Sequence, residues 1–242
     1  MKSLQNWFRT PLGRLVVRSE CDMLARRLAG IHSRRMLQVG AFGDGQRPAL
    51  FGDTRQWLLD RWPGGPVDIA GDPADLPFTS DSLDVVVLIH QLEFQDAPHP
   101  VLREAERVVA PEGHLLVVGF NPFSVWGLRR LLAGAQADPP WGGRAIGPRR
   151  VEDWLRLLGL DVLGTDGLVF PPPVNAPLLL DRVESLERWG RRYLRRGGGV
   201  YLTMAQKRVQ AIAPVGLVWK RPKLAVHPGG MAAPTRRSRH HG

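Results

Sequence analysis

Cysteine is almost absent from this chain. Cys21 is the only one, so no internal disulfide can form, and the sequence suits a reducing cytoplasm. Long apolar runs are missing too. The longest, Val85 to Ile89 with its flanks, is too short to cross a bilayer. The opening MKSLQNWFRTPLGR has no apolar run behind its charge, so it does not read as a signal peptide. Seven histidines and one cysteine show no ligand spacing, which argues against a zinc site. No internal repeat is visible. Acid is missing from one end only. Residues 1–187 carry 20 Lys/Arg against 23 Asp/Glu, whereas residues 188–242 carry 13 Lys/Arg and no acid. The net charge of +10 therefore belongs to the C-terminal segment and not to the chain as a whole.

What is present alternates between strand and helix patterns. Residues 1–30 read as helical, with Leu15, Val16, Cys21, Leu24, Leu28 and Ile31 near helical spacing and a Thr10-Pro11-Leu12-Gly13 turn inside. Residues 35–39, 56–59, 67–70, 84–89, 115–118, 160–163 and 200–205 read as strands. Residues 99–110, 151–158 and 176–196 read as helices, with a break at Pro111-Glu112-Gly113. Asp84 to Ile89 is apolar enough to be buried on both faces, as in a parallel sheet. The expected architecture is α/β: a Rossmann-like, mostly parallel sheet with helices on both faces. An N-terminal helical extension would span 1–34 and the domain 35–212. The tail 213–242, basic and without periodicity, is expected to be disordered.

Glycines at Gly40, Gly43 and Gly45 follow the first strand, where they allow a tight turn and close approach to a ligand. Their GxxGxG spacing is not the GxGxxG of dinucleotide sites. Asp60 ends the second strand twenty residues after Gly40, where a carboxylate can accept both hydroxyls of a ribose; Asp53 and Asp68 are the alternatives. Next come Gly71-Asp72-Pro73-Ala74-Asp75-Leu76-Pro77-Phe78 and Asp81-Ser82-Leu83-Asp84-Val85-Val86, then Val101 to Val118, which contains LREAERVVAPEGHLLVV. These stretches resemble the class I S-adenosylmethionine-dependent methyltransferases of the type 11 methyltransferase-domain family, over about residues 36–120.

The resemblance implies S-adenosylmethionine as cofactor. It also implies Gln38, Gly40, Gly43, Gly45, Asp60, Asp72, Pro73 and Leu76 as the residues that hold it, with Asp72 near the adenine. Gln38 stands where the family has an acid that holds the amino-acid end of the cofactor, and Phe42 and Asp44 stand where it has glycines. The stretch from Asp60 to Val67 is too short for the family's usual helix.

Methyl transfer from a sulfonium chiefly needs an aligned nucleophile, and a base only where that nucleophile carries a proton. His90, at the end of the fourth strand, is the candidate catalytic residue. Asn121 and Phe123, after the fifth strand, are candidate substrate contacts. A small-molecule or lipid-like acceptor is favoured by the acidic balance of residues 1–187. The alternatives are an RNA or DNA methyltransferase using the basic segment 188–242, which could equally meet an anionic membrane, and a non-catalytic cofactor-binding protein. The expected location is cytoplasmic, and oligomeric state is left open.

Overall fold

The computed structural model describes residues 2–42, 45–48, 53–61, 67–134, 137–138, 140–169 and 197–208. Met1–Val209 makes one compact unit. The predicted helix 176–196, the tail 213–242, Gly43 and Asp44 lie outside the described residues.

A seven-stranded sheet runs through the unit. Its strands are β1 (Arg35–Val39), β2 (Arg55–Asp60), β3 (Ile69–Ala70), β4 (Leu83–Ile89), β5 (Val109–Phe120), β6 (Asp161–Leu168) and β7 (Val200–Gln206). They lie in the order β3-β2-β1-β4-β5-β7-β6. All pairs are parallel except those of β7, which runs antiparallel to β5 and β6. The order reverses between β1 and β4, so a crevice opens at their C-terminal ends.

The helices are α1 (Lys2–Phe8), α2 (Pro11–Leu28), α3 (Pro98–Val108), α4 (Val125–Ala133) and α5 (Pro148–Leu157). The predicted helix over 1–30 is therefore two helices. Thr10 divides them as the N-cap of α2, accepting from the Gly13 N–H at 3.1 Å, with Pro11 at the first helical position. Gly13 is required because a Cβ there would overlap the backbone of Trp7 and Phe8. The Thr-Pro-Leu-Gly turn thus folds α1 back against α2.

One face of the sheet is covered by α2, whose Val16, Val17, Leu24 and Leu28 join Met36, Val85, Val87, Leu116 and Val118 in one core cluster. Each such side chain removed from water contributes about 1.5–3 kcal/mol. Among the described residues, no helix lies between β1 and β2 or between β2 and β3. The N-terminal helices are thus part of the core rather than an appendage. On the other face, α3 and α5 pack Val101, Leu102, Ala105, Val151 and Leu155 onto Leu37, Val86, Leu88 and Leu115.

Four expectations change. β5 starts at Val109 and runs through Pro111-Glu112-Gly113, with Glu112 in the left-handed region and a register irregularity opposite Leu83 and Val85. β3 is two residues long, and β6 reaches Leu168. The helix α4 had no counterpart in the sequence reading. Among the described residues no helix is long and apolar enough to cross a membrane.

Candidate cofactor site

β1 ends in Gly40, whose φ is +99°. Its N–H continues the β1–β2 ladder to the Leu59 carbonyl at 2.8 Å. A Cβ at this position would overlap the Gln91 side chain and the Ile89 carbonyl. Dihedral and close approach both demand glycine here. Gly45 also sits at positive φ, +73°.

Gln38 points into this turn and is fully buried. Its Nε2 donates to the Gly40 carbonyl at 3.0 Å and to the Gln46 carbonyl at 3.4 Å. Two carbonyl acceptors fix the amide's orientation. Among the described residues Oε1 is buried without a partner, an acceptor suited to an N–H donor such as an ammonium.

Asp60, at the end of β2, is 4% exposed. Its Oδ2 accepts from the Ala41 N–H at 2.9 Å and from Gln5 Nε2 of α1 at 3.2 Å. The carboxylate therefore links β2, the glycine turn and the N-terminal helix. Phe42 is fully buried against Phe8, ring centroids 5.5 Å apart, so it fills the space beside the turn with an aromatic contact to α1.

Asp72 follows β3 at the neighbouring strand end. It is exposed; its Oδ1 caps the Ala74 N–H at 3.0 Å and its Oδ2 meets Arg61 at 2.7 Å. The backbone hydrogen bond from Ala74 and the Arg61 guanidinium hold its carboxyl below the usual range. Pro73 and Leu76 are buried beneath it.

Two residues the sequence reading did not single out hold this segment. Glu104 of α3 accepts from the Leu76 N–H at 3.1 Å, while Arg107 donates to the Leu76 carbonyl at 3.1 Å and the Phe78 carbonyl at 3.0 Å. Arg107 also pairs with Glu104 at 2.8 Å. The Leu-Pro-Phe segment and the Glu-x-x-Arg of α3, two separate stretches of the resemblance, are one clamp in space. That spacing was the signal available in the sequence.

His90 ends β4 at φ +48° and is fully buried. Nε2 lies 2.9 Å from Glu20 Oε1 of α2, and Nδ1 lies 3.5 Å from Glu93 Oε1. The ring stacks on Phe120 at 4.0 Å. Burial alone would drive the imidazole neutral, but the Glu20 carboxylate and then Glu93 more than offset it, raising the pKa to about 9. Burial also pushes the Glu20 carboxyl up. The raised pKa favours the imidazolium form, which would clasp Glu20 of α2 and Glu93 together at the end of β4.

Asn121 is 1% exposed and spends its amide on the backbone, donating to the Gly198 carbonyl at 2.9 Å and accepting from the Phe123 N–H at 3.0 Å. Phe123 is 80% exposed and stands between two clefts. One, of about 540 Å³, is lined by Phe123, Leu128, Leu131 and Trp141 among others. The other, of about 570 Å³, is lined by Asn121, Phe123, Arg149, Arg150 and Asp153 among others. Gly40, Asp60 and Asp72 line neither. Strand pairing thus brings Gln38, Gly40, Asp60 and the segment after β3 to one rim of the sheet. Asn121 and Phe123 lie beyond β4, after β5.

Comparison with known proteins agrees with this geometry. Residues 57–117 match the family described as "Methyltransferase domain". Over 100 residues the chain is 43% identical to the uncharacterized protein YafS of Escherichia coli strain K12; that stretch is 41% of this chain and 42% of YafS, so the match spans less than half of either. Among solved structures, the fold is similar to a Thermotoga maritima S-adenosylmethionine-dependent methyltransferase described as a possible histamine N-methyltransferase. The TM-score is 0.56 at 16% identity, covering 84% of this chain and 94% of that one. It is also similar to the [4+2]-cyclase SpnF, with TM-score 0.55 at 19% identity, covering 83% of this chain and 84% of that one. At such identities the likeness concerns the fold.

Proposed function

We propose that this chain, a class I methyltransferase fold carrying a type 11 methyltransferase domain, is an S-adenosylmethionine-dependent methyltransferase with a small-molecule or lipid-like acceptor. The observation that carries the proposal is the rim formed by Gln38, Gly40 and Asp60. There Gly40, a position that only glycine fits, lies between a buried acceptor without a partner among the described residues and a buried carboxylate. Bound at this rim, the cofactor supplies an electrophilic methyl group on a sulfonium.

The chain's own residues would divide the work. Gly40 lets the ligand lie against bare backbone. Gln38 Oε1 accepts from the cofactor's ammonium, without the charge that an acid would add. Asp60 accepts ribose hydroxyls once Gln5 yields its place. Asp72, Pro73 and Leu76 bound the adenine side, on the clamp of Glu104 and Arg107. His90 acts through position: protonated and enclosed, it fixes α2 and β4 rather than taking a proton.

The acceptor's class is read from the clefts at Phe123. Their volumes suit a small organic molecule; the first is walled largely by apolar residues, and the second adds Asn121, Arg149, Arg150 and Asp153. The lone thiol of Cys21, which burial pushes up to about 12, suits a reducing cytoplasm, the compartment proposed here. A second reading, a non-catalytic protein with weakened hold on the cofactor, is favoured by Gln38 in place of an acid and by the Gln5–Asp60 hydrogen bond, which occupies the ribose acceptor.

Incubation with methyl-labelled S-adenosylmethionine and a fractionated cell extract separates the readings. Label is expected in the small-molecule or lipid fraction. Label in RNA or DNA would replace the acceptor class, and binding without any label transfer would favour the second reading.

A further inference from the structure

Helix α4 is inverted relative to a helix that faces water. Of its two arginines, Arg129 is exposed and lies over the Trp141 ring, while Arg130 is 8% exposed and donates inward to the Arg144 carbonyl at 2.7 Å. Its apolar residues face out: Val125 is 60% exposed, Leu128 57%, Leu131 78% and Leu132 81%, and the adjoining Phe123 is 80% exposed. Water-facing helices carry the opposite pattern. A contiguous apolar stripe of this kind marks an interaction surface.

The orientation is fixed from three sides. Ser124 caps the helix, accepting from the Gly127 N–H at 3.2 Å. Trp126 is buried, stacked on Phe120 and edge-on to Trp7. Gly127 lies so close to Pro122 that a Cβ would overlap its backbone. The leucines cannot turn inward without breaking all three.

The charge around the stripe selects the partner. Residues 121–150 hold five arginines against one aspartate. Arg129, Arg144, Arg149 and Arg150 are exposed in this stretch and on α5, as are the acids Asp138 and, on α5, Asp153. A second copy of the chain meeting this face about a two-fold axis would set these arginine rims against each other. Five protruding side chains are also few beside the roughly 20–30 residues per side of a stable protein interface. An apolar stripe in a cationic rim matches the boundary between headgroups and acyl chains.

We propose that α4, with Phe123, inserts into the surface of an anionic lipid bilayer, Leu128, Leu131 and Leu132 entering the acyl boundary while the rim arginines meet the headgroups. This rests on α4 and its surroundings alone, not on cofactor binding. It gives a lipid-like acceptor a route to the clefts beside Phe123.

The test uses the full chain and vesicles of phosphatidylcholine, with and without phosphatidylglycerol. An environment-sensitive fluorophore is placed at Leu131→Cys in a Cys21→Ala background. The expected result is a blue shift on vesicles with phosphatidylglycerol and little on phosphatidylcholine alone. Leu128→Ser/Leu131→Ser should bind those vesicles at least about tenfold more weakly, since two inserted leucines are lost. Its melting temperature and S-adenosylmethionine affinity should match the parent, because both side chains are exposed.

Three results would overturn the proposal. One is equal vesicle binding by the leucine variant with no blue shift, which assigns binding to the basic C-terminal segment. Another is absence of vesicle binding. The third is a dimer in sedimentation that the leucine variant dissociates, which assigns the stripe to a second copy. A failure of cofactor binding would leave all of these readouts unchanged.

Discussion

The Gln5 side chain of α1 donates to Asp60 Oδ2 at 3.2 Å, across 55 positions of sequence. It occupies the oxygen that a ribose hydroxyl would seek. If this contact competes with the cofactor, Gln5→Ala should tighten S-adenosylmethionine binding about fivefold, the worth of roughly 1 kcal/mol for one hydrogen bond. Calorimetry measures it. A weaker complex would mean that Gln5 itself contacts the cofactor.

Arg107 spans two carbonyls, those of Leu76 and Phe78. Arg107→Ala should lower stability by about 1–2 kcal/mol and weaken the cofactor complex by loosening the adenine wall. Arg107→Lys should recover little, because an ammonium cannot reproduce the guanidinium fork. Urea midpoints and dissociation constants, compared across the three proteins, give the answer. Full rescue by lysine would show that charge alone matters there.

His90 predicts a pH profile. Its folded pKa of about 9 exceeds the ordinary 6.5, so the protonated clasp stabilises the fold fully below about pH 6.5 and is lost as pH rises through 9. The raised Glu20 carboxyl acts in the same direction. Urea titrations at steps between pH 6 and 10 should show stability falling across that window. Glu20→Gln should shrink the pH-dependent part and cost about 3 kcal/mol at neutral pH, the range for breaking a buried pair. A flat profile in the parent would mean that His90 is neutral in the fold.

Gly40→Ala should be severe. It places a Cβ on a backbone at φ +99° and against Gln91 and the Ile89 carbonyl. About 3 kcal/mol or more is expected from strain and overlap together, read as a lowered melting temperature. Gly45→Ala, at φ +73°, carries a dihedral cost too.

The parts of this molecule that could be read from sequence are those where pattern and burial coincide. Leu83–Ile89 is nearly all apolar and nearly all buried, and α3 points Val101, Leu102, Ala105 and Val108 inward at helical spacing. Asp60 stands at the end of β2 as expected, since strand length and the following turn are local properties. The helix α4 was missed because it is only nine residues long, with Gly127 and the Arg129-Arg130 pair inside it, too short for its apolar spacing to stand out. Pro111-Glu112-Gly113 read as a break because proline and glycine usually are one; here Glu112 absorbs the irregularity at φ +62° and the strand continues.

The candidate site was half legible. Spacing pointed to Gly40 and Asp60, and the family resemblance to Gln38, Asp72 and Leu76. What spacing could not give was pairing at a distance. Nothing local links Glu20 to His90 across 70 positions, or Gln5 to Asp60 across 55. The first arises from α2 packing on the sheet and the second from α1 folding back against α2, which Gly13 permits.

The central claim is that the rim of Gln38, Gly40 and Asp60 holds S-adenosylmethionine. Calorimetric titration of the full chain with S-adenosylmethionine, beside Asp60→Ala, tests it most directly. The account predicts saturable one-to-one binding that Asp60→Ala weakens at least about tenfold, as for loss of a charge-assisted hydrogen bond. No heat at millimolar ligand, or equal affinity in the two proteins, would contradict it.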